Sequence, residues 1–566
     1  MVGNGVPHEH AFTPLSVSGT ANGASPRNNR AASHQIIEPP CPVTAAAAVS
    51  PPLDRARSRS ARSLLWGCAA VGLLMGGKAR AAFDLNVLTE RAKALAATPY
   101  RDPATFTNSR LGALSYDDYR AIRFRPQSAW WREAGLPFEL QFFHVGGNYT
   151  LPVRVHELVQ GRELPLSVPA SAFDFGKAAP AVAGQAQAEL AGFRVHYALN
   201  RAGYKDEFTV FLGASYLRAV GAGQHYGSSA RGVAIDTAGG AGEEFPAFEA
   251  FWIERPARGA KTLTVYALLN GPRVTGAYRF ELRPGSVTEV AVQARLFLRG
   301  TVATLGIAPL TSMFFGGEND PKPLQSLGDF RPEVHDADGL LIETGEGEWL
   351  WRPLLNPDRP FTTSFAMPRL RGFGLMQRDR SFASYEDPEA RYDQRPSVWI
   401  RPEGDWGPGR VELMQYHSPD ETNDNVVAYW VPERLPAAGQ PLTLSYSMLW
   451  QGAAQQSPPR QGRVLQSRLG RGLERPQPGE LQFHIDYAGG PLDGLSAVAT
   501  PQAFVTSSDN ARVLLANVYR NPATKGWRLN LKVQRLDAKQ PVELRALLKD
   551  GANVLTETWT YALPPE

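Results

Sequence analysis

Tyr278-Arg279-Phe280-Glu281-Leu282-Arg283-Pro284-Gly285-Ser286-Val287-Thr288-Glu289-Val290-Ala291-Val292-Gln293-Ala294-Arg295-Leu296-Phe297-Leu298 decides the fold class. Tyr278, Phe280 and Leu282 alternate with Arg279, Glu281 and Arg283. After a Pro284-Gly285 turn, Val290, Val292, Ala294, Leu296 and Leu298 resume the same period of two. That period puts one face of each strand on a core and the other in solvent. Working outward, Phe138, Leu140 and Phe142 alternate with Glu139 and Gln141, and Asn270-Gly271 ends the strand Leu263–Leu269 with a turn. Helical spacing is confined to the start. Asp84 caps a short helix whose Leu85, Leu88, Ala92 and Leu95 share a face, and a second covers Tyr116 to Ile122.

No run of alternating strand and helix follows, so the expected class is all-β. The texture changes at Gln455-Gln456-Ser457-Pro458-Pro459-Arg460-Gln461-Gly462, a polar linker over 455–462. Beyond it Trp527, Leu529, Leu531 and Val533 mark one strand face, and Val542, Leu544, Ala546 and Leu548 another. About seven short strands over 463–566 predict an immunoglobulin-like sandwich. Residues 82–454 predict a larger β-sandwich. The high Gly (53) and Pro (46) counts in 566 residues fit many turns.

Residues 1–81 read as a disordered extension plus a leader. Arg55, Arg57, Arg59 and Arg62 precede the uncharged run Ser63 to Gly77, and an Ala-x-Ala exit places cleavage after Ala81. This is the pattern of a secretory signal peptide, and the run is short for a membrane span. No adjacent Arg pair supports the twin-arginine route. The leader holds eight basic and three acidic groups, which leaves 51 basic and 52 acidic groups beyond it. A near-neutral remainder gives no electrostatic reason to expect nucleic acid or an anionic membrane as partner. Both cysteines, Cys41 and Cys68, lie in the leader. The exported chain then has no disulfide, thiol nucleophile or Cys-ligated metal.

There is no phosphate loop, no His-Glu-x-x-His and no Gly-x-Ser-x-Gly, and the ten His residues are scattered. No metal and no cofactor is therefore expected. What remains is carboxylates among aromatics and amides, a set suited to sugars: rings stack on pyranose faces, and Asp, Asn and Arg bond the hydroxyls. Three stretches concentrate it. One is Phe330-Arg331-Pro332-Glu333-Val334-His335-Asp336-Ala337-Asp338-Gly339, followed by Gly345-Glu346-Gly347-Glu348-Trp349-Leu350-Trp351-Arg352. Another is Gly372 to Arg380, continuing to Tyr385, Tyr392 and Trp399. The third is Asp420-Glu421-Thr422-Asn423-Asp424-Asn425 before Val426-Val427-Ala428-Tyr429-Trp430. Each also has a structural reading. Asp336 to Gly339 reads as a β-turn, and no ligand series completes a calcium loop there. Asp420 to Asn425 reads as a solvated loop. Trp349 and Trp351, on one side of a strand, read as core. Asp379 reads as a surface group salt-bridged by Arg378 and Arg380.

These stretches resemble the osmoregulated periplasmic glucan biosynthesis proteins G and D, from about Phe83 to the C-terminus. The resemblance rests also on Leu212-Gly213-Ala214-Ser215-Tyr216, Tyr226-Gly227-Ser228-Ser229-Ala230-Arg231-Gly232, Glu243-Glu244-Phe245-Pro246, Phe251-Trp252-Ile253-Glu254-Arg255-Pro256 and Ala308-Pro309-Leu310-Thr311-Ser312-Met313-Phe314. It implies a galactose-mutarotase-like sandwich with a cleft, then an immunoglobulin-like domain. It implies a periplasmic protein of glucan biosynthesis that works on β-1,2-glucan as an inverting glycoside hydrolase or transglycosylase. In that pattern Asp424 is the general acid and Asp336 the general base, acting on water directly or through a relay. An inverting pair is expected roughly 6.5–9.5 Å apart. Tyr392, Trp349, Trp351, Arg352, Glu421 and Asn423 are expected to hold sugar. The competing expectation is a non-catalytic glucan-binding or scaffold protein assisting an inner-membrane glucan synthase. The missing twin-arginine signal departs from the D pattern, the long extension is unusual for the resemblance, and both leave G versus D open.

Overall fold

The hairpin read from the sequence is present: Val274–Arg283 pairs antiparallel with Thr288–Leu298, from Val274 opposite Leu298 to Arg283 opposite Glu289. Tyr278, Phe280, Leu282, Val290, Val292, Ala294 and Leu296 are all buried on one face. Burial of such side chains contributes about 1.5–3 kcal/mol each. The computed structural model describes residues 82–566 apart from 103–108, 183, 241, 321–322, 438, 453–459, 471–476 and 497. The expected leader and most of the expected linker lie outside the described residues.

The hairpin belongs to a fifteen-stranded sheet, which a ten-stranded sheet faces. One continuous core fills the space between them. Phe142, Phe193, Phe211, Leu310, Leu413 and Trp430 come from the smaller sheet, and Phe251, Val265, Phe280, Leu340, Phe373 and Ile400 from the larger. The class is therefore all-β sandwich, as the alternation predicts. The Asp84 side chain accepts from Val87 N at 2.9 Å and caps the helix Leu85–Ala96, whose Leu85, Leu88 and Ala92 are buried. That helix lies on the outer face of the large sheet against Ala250, Trp252 and Tyr266. The expected second helix is Tyr116–Arg120, capped by Ser115.

The C-terminal strands divide. Arg463–Gly470, Glu480–Ala488, Gly526–Arg535 and Ala511–Asn521 form a four-stranded sheet. Gln502–Ser507, Val542–Asp550 and Thr558–Leu563 instead extend the fifteen-stranded sheet. The join is parallel, with Leu350 opposite Thr558 and Trp351 opposite Trp559. A second core, with Trp351, Trp399, Phe483, Tyr487, Leu529, Leu544 and Trp559, fills the space over that end of the large sheet. The large sheet is thus common to both cores. Among the described residues no helix is long and apolar enough to cross a membrane.

Candidate active site

Leu305–Ser312 is buried along its whole length in the ten-stranded sheet. Its end positions both candidate acids. Asp336 N donates to Met313 O at 2.9 Å, and Asn425 N, next to Asp424, donates to Ser312 O at 3.1 Å. Two loops distant in sequence are therefore pinned to adjacent residues of one segment. The Asn425 side chain closes the clamp. Its Oδ1 accepts from Phe314 N at 2.8 Å, and its Nδ2 donates to Phe314 O at 2.9 Å and Tyr416 O at 3.0 Å. Asp336 follows the short strand Val334–His335, which pairs with Phe314–Gly316. Asp424 lies in the loop between Gly409–Gln415 and Val426–Pro432.

The two carboxylates have different surroundings. Asp336 is 1% exposed and ion-paired with Arg395, itself 1% exposed. The Arg395 guanidinium also donates to Ala390 O and lies 4.0 Å from the Tyr392 ring centroid. Gly227 permits this packing, because a Cβ there would meet Arg395 Cβ at 3.0 Å. A buried carboxylate held by a guanidinium is stabilised as the anion. Asp424 keeps 17% of its side chain exposed, and its cation, Arg218, stands off at 3.6 Å. Burial raises the Asp424 pKa; Arg218 opposes the rise and the Asp336 charge adds to it. Asp336 is ion-paired inside the protein, and Asp424 is biased towards holding a proton.

A hydrogen-bonded chain joins the loop that carries Asp424 to the segments around Arg331 and Tyr392. Tyr392 Oη donates to Glu421 Oε2 at 2.8 Å, and Arg331 binds the same carboxylate at 2.6 Å together with Asp329 and Asp387. Burial, then the charges of Glu421 and Asp336, push the Tyr392 phenol far up, so it stays a neutral donor. Asn423 lies half-buried in the same loop, its Nδ2 donating to Thr422 Oγ1 at 3.2 Å. The structure therefore brings Asp336, Tyr392, Glu421, Asn423 and Asp424 together.

Trp349, Trp351 and Arg352 lie elsewhere, at the seam with the C-terminal strands. Trp349 stacks on Trp399 at 5.7 Å. Trp351 is 4% exposed, with the Arg378 guanidinium 3.7 Å from its ring centroid. Arg352 Nη2 pairs with Glu543 at 2.6 Å, and its Nε donates to Thr560 Oγ1 at 2.9 Å. Trp351 belongs to the second core and Trp349 packs against it, where the core alternative read for these two places them, while Arg352 is held by Glu543 and Thr560. In the stretch read as a β-turn, Asp336 and Ala337 are buried and Gly339 opens the strand Gly339–Thr344. Asp379 is no surface ion pair with its neighbours. Arg378 turns to Glu557 at 2.5 Å, and Arg380 donates to Arg395 O at 2.8 Å.

Asp379 instead meets Glu318 and Glu333, with oxygens within 4.8 Å of one another. These three would be the residues to hold a cation among the described residues. Burial and the neighbouring Glu333 push Glu318 up to about 9, and burial pushes Glu333 up to about 7. Near neutral pH Glu318 therefore carries a proton, which its hydrogen bond gives to Glu333. His335 completes the group, its Nε2 3.0 Å from Glu333 and its Nδ1 2.9 Å from Gln377 Oε1.

Sequence reasoning missed Arg395 and Arg218, the two cations that set the difference between the acids. No local pattern marks Arg395 as buried. Arg218 is two residues beyond Tyr216, the end of the stretch Leu212 to Tyr216 that carries the resemblance. Arg231, in the stretch Tyr226 to Gly232 that carries the resemblance, donates to Thr311 Oγ1 at 3.1 Å and to Glu243 at 2.9 Å.

Residues 83–563 match the family model described as "Periplasmic glucan biosynthesis protein, MdoG". The "Glucans biosynthesis protein G" of Ralstonia nicotianae is 49% identical over 504 residues, 88% of this chain and 99% of the relative. That of Pseudomonas aeruginosa is 45% identical over 493 residues, 86% of this chain and 93% of the relative. That of Sodalis glossinidius is 42% identical over 517 residues, 89% and 98% respectively.

Proposed function

The chain belongs to the family of periplasmic glucan biosynthesis proteins, with a role in glucan biosynthesis, and from that premise we propose that it cleaves or transfers β-1,2-glucan chains in the periplasm with inversion. The name shared by these relatives favours the G type over the D type. Asp424 serves as general acid, donating to the leaving glycosidic oxygen. Asp336 serves as general base. The observation that carries this reading is the unequal pairing: Asp336 is buried against Arg395, while Asp424 is raised by burial and by the Asp336 charge. Inverting chemistry needs one protonated and one ionised carboxyl with room for water between. Because Asp336 is sealed from solvent, it takes the proton through an intervening hydroxyl or water rather than from the attacking oxygen directly. Tyr392, Glu421 and Asn423 orient the sugar. Water as acceptor gives hydrolysis, and a sugar hydroxyl gives transfer. An inner-membrane glucan synthase is the protein partner this role implies.

The seal over Asp336 favours one alternative, a glucan-binding protein that assists a synthase without turnover. Incubation with linear β-1,2-glucan, followed by NMR of the new reducing ends, separates the two. The expected result is shorter glucans whose fresh ends are α-anomers, with rates reduced about 10²–10⁴-fold in Asp424→Asn. Bound but unaltered glucan establishes the binding role instead.

A further inference from the structure

A cavity of about 330 Å³ opens far from the two aspartates, lined by Gln127, Trp130, Trp131, Glu133, Glu157 and Arg255. Glu157 lies on the strand Arg154–Val159, near one edge of the fifteen-stranded sheet. Seven strands separate it from Gly339–Thr344, the strand that follows Asp336. We propose that this cavity is a second carbohydrate site, which grips a neutral glucan chain at a distance from the Asp336–Asp424 cleft. The inference rests on the glucan reading above but not on catalysis.

The lining carries the argument. Trp130 lines the cavity half-buried, with its side chain also packed against the core, and Trp131 is 6% exposed. The Trp131 Nε1 donates to Glu157 Oε1 at 2.7 Å, and Arg255 reaches the same oxygen at 3.7 Å. Arg255 N also donates to Leu158 O at 2.9 Å, which fixes the base of that side chain. An aromatic face beside an oriented carboxylate, a guanidinium and an amide suits a pyranose ring: the ring stacks and its hydroxyls are bonded from the side. Two carboxylates against one guanidinium leave no positive excess, so a phosphate or another anion is disfavoured. The size fits about one or two sugar rings, at the small end of ligand cavities.

Backbone strain is the second observation. Arg132 N donates to Ala129 O at 3.1 Å and closes a four-residue turn. Its third residue is Trp131, at φ 72. A positive φ at that position favours glycine and disfavours a bulky aromatic. Strain of this kind persists where the surroundings over-determine it, and it gathers at ligand sites. Here it keeps the Trp131 indole on Glu157 and the adjacent Trp130 at the cavity. A second grip raises the effective concentration of the bound chain at the cleft, so long glucans gain affinity that short ones lack.

The test uses the full chain, with Trp130→Ala, Trp130→Tyr and Arg255→Ala beside wild type. Calorimetry reads binding of a long linear β-1,2-glucan and of a short β-1,2-gluco-oligosaccharide, and melting curves confirm the fold. The expected result is about tenfold or greater loss of long-glucan affinity in Trp130→Ala and Arg255→Ala. Binding should be largely retained in Trp130→Tyr, with short-oligosaccharide turnover unchanged throughout. Unchanged long-glucan affinity in both folded variants overturns the proposal. A wild type that binds through Trp130 but turns nothing over supports this site while overturning the enzymatic reading.

Discussion

The buried Asp336 and a cluster of three acids, Glu318, Glu333 and Asp379, flank the two-residue strand Val334–His335, and their surroundings differ. Asp336 has a buried guanidinium of its own. Glu318, Glu333 and Asp379 have mainly one another and His335, and the nearby Arg468 lowers Glu318 less than burial and Glu333 raise it. The difference teaches that burial alone does not fix the charge of an acid in this fold. A guanidinium opposes the rise that burial imposes on a carboxylate, and beside Glu318 and Glu333 that opposition is the weaker influence. Asp424, with Arg218 at a distance, lies between the two cases.

Arg395→Met breaks the comparison most strongly. It leaves Asp336 buried without its cation, and removal of one partner of a buried pair costs about 3–5 kcal/mol. Chemical denaturation at pH 7 should show that loss, and Arg395→Met with Asp336→Asn should regain much of it. If the single variant is as stable as wild type, the guanidinium does not hold the charge. Tyr392→Phe is smaller: it removes the hydroxyl donated to Glu421, a bond to a charged acceptor that contributes about 1.5–3 kcal/mol. Its fold should persist, and glucan affinity should fall.

Glu318→Gln is expected to act with the opposite sign. The folded state raises Glu318 from 4.5 to about 9 and Glu333 from 4.5 to about 7. Between those values the folded chain binds more protons than the unfolded chain, so stability falls as pH rises. That contribution is fully present below about pH 4.5 and lost towards pH 9. Gln in place of protonated Glu318 should stabilise by about 1–2 kcal/mol at pH 8, do little at pH 5, and flatten the slope between them. Melting temperatures at the two pH values read this directly. A variant less stable at pH 8 would mean that Glu318 is charged there.

Much of the sandwich was legible because its signal is local. Trp527, Leu529, Leu531 and Val533 alternate in the chain and are all buried, as are Val542, Leu544, Ala546 and Leu548. The parallel join of Trp349–Pro353 to Thr558–Leu563 was not legible, since strands some two hundred residues apart leave no periodic trace of their pairing. The same limit explains Trp351 and Arg352. A period of two places them on opposite faces of a strand but does not say whether a face meets sugar or another sheet. Asp336 and Asp424 came into view through a resemblance, not through any pattern of charge. Their cations, Arg395 and Arg218, are set by tertiary contacts that the local sequence does not record.

The central claim is that burial, with the neighbouring Asp336 adding to it, raises the pKa of Asp424. Carboxyl carbon NMR of Asp-labelled protein, titrated from pH 3 to pH 8 in wild type and in Asp336→Asn, measures this without turnover. The account predicts that Asp424 titrates above the usual Asp value near 3.9 and moves back down in Asp336→Asn. An Asp424 that titrates at or below that value, or that ignores the loss of the Asp336 charge, would contradict it.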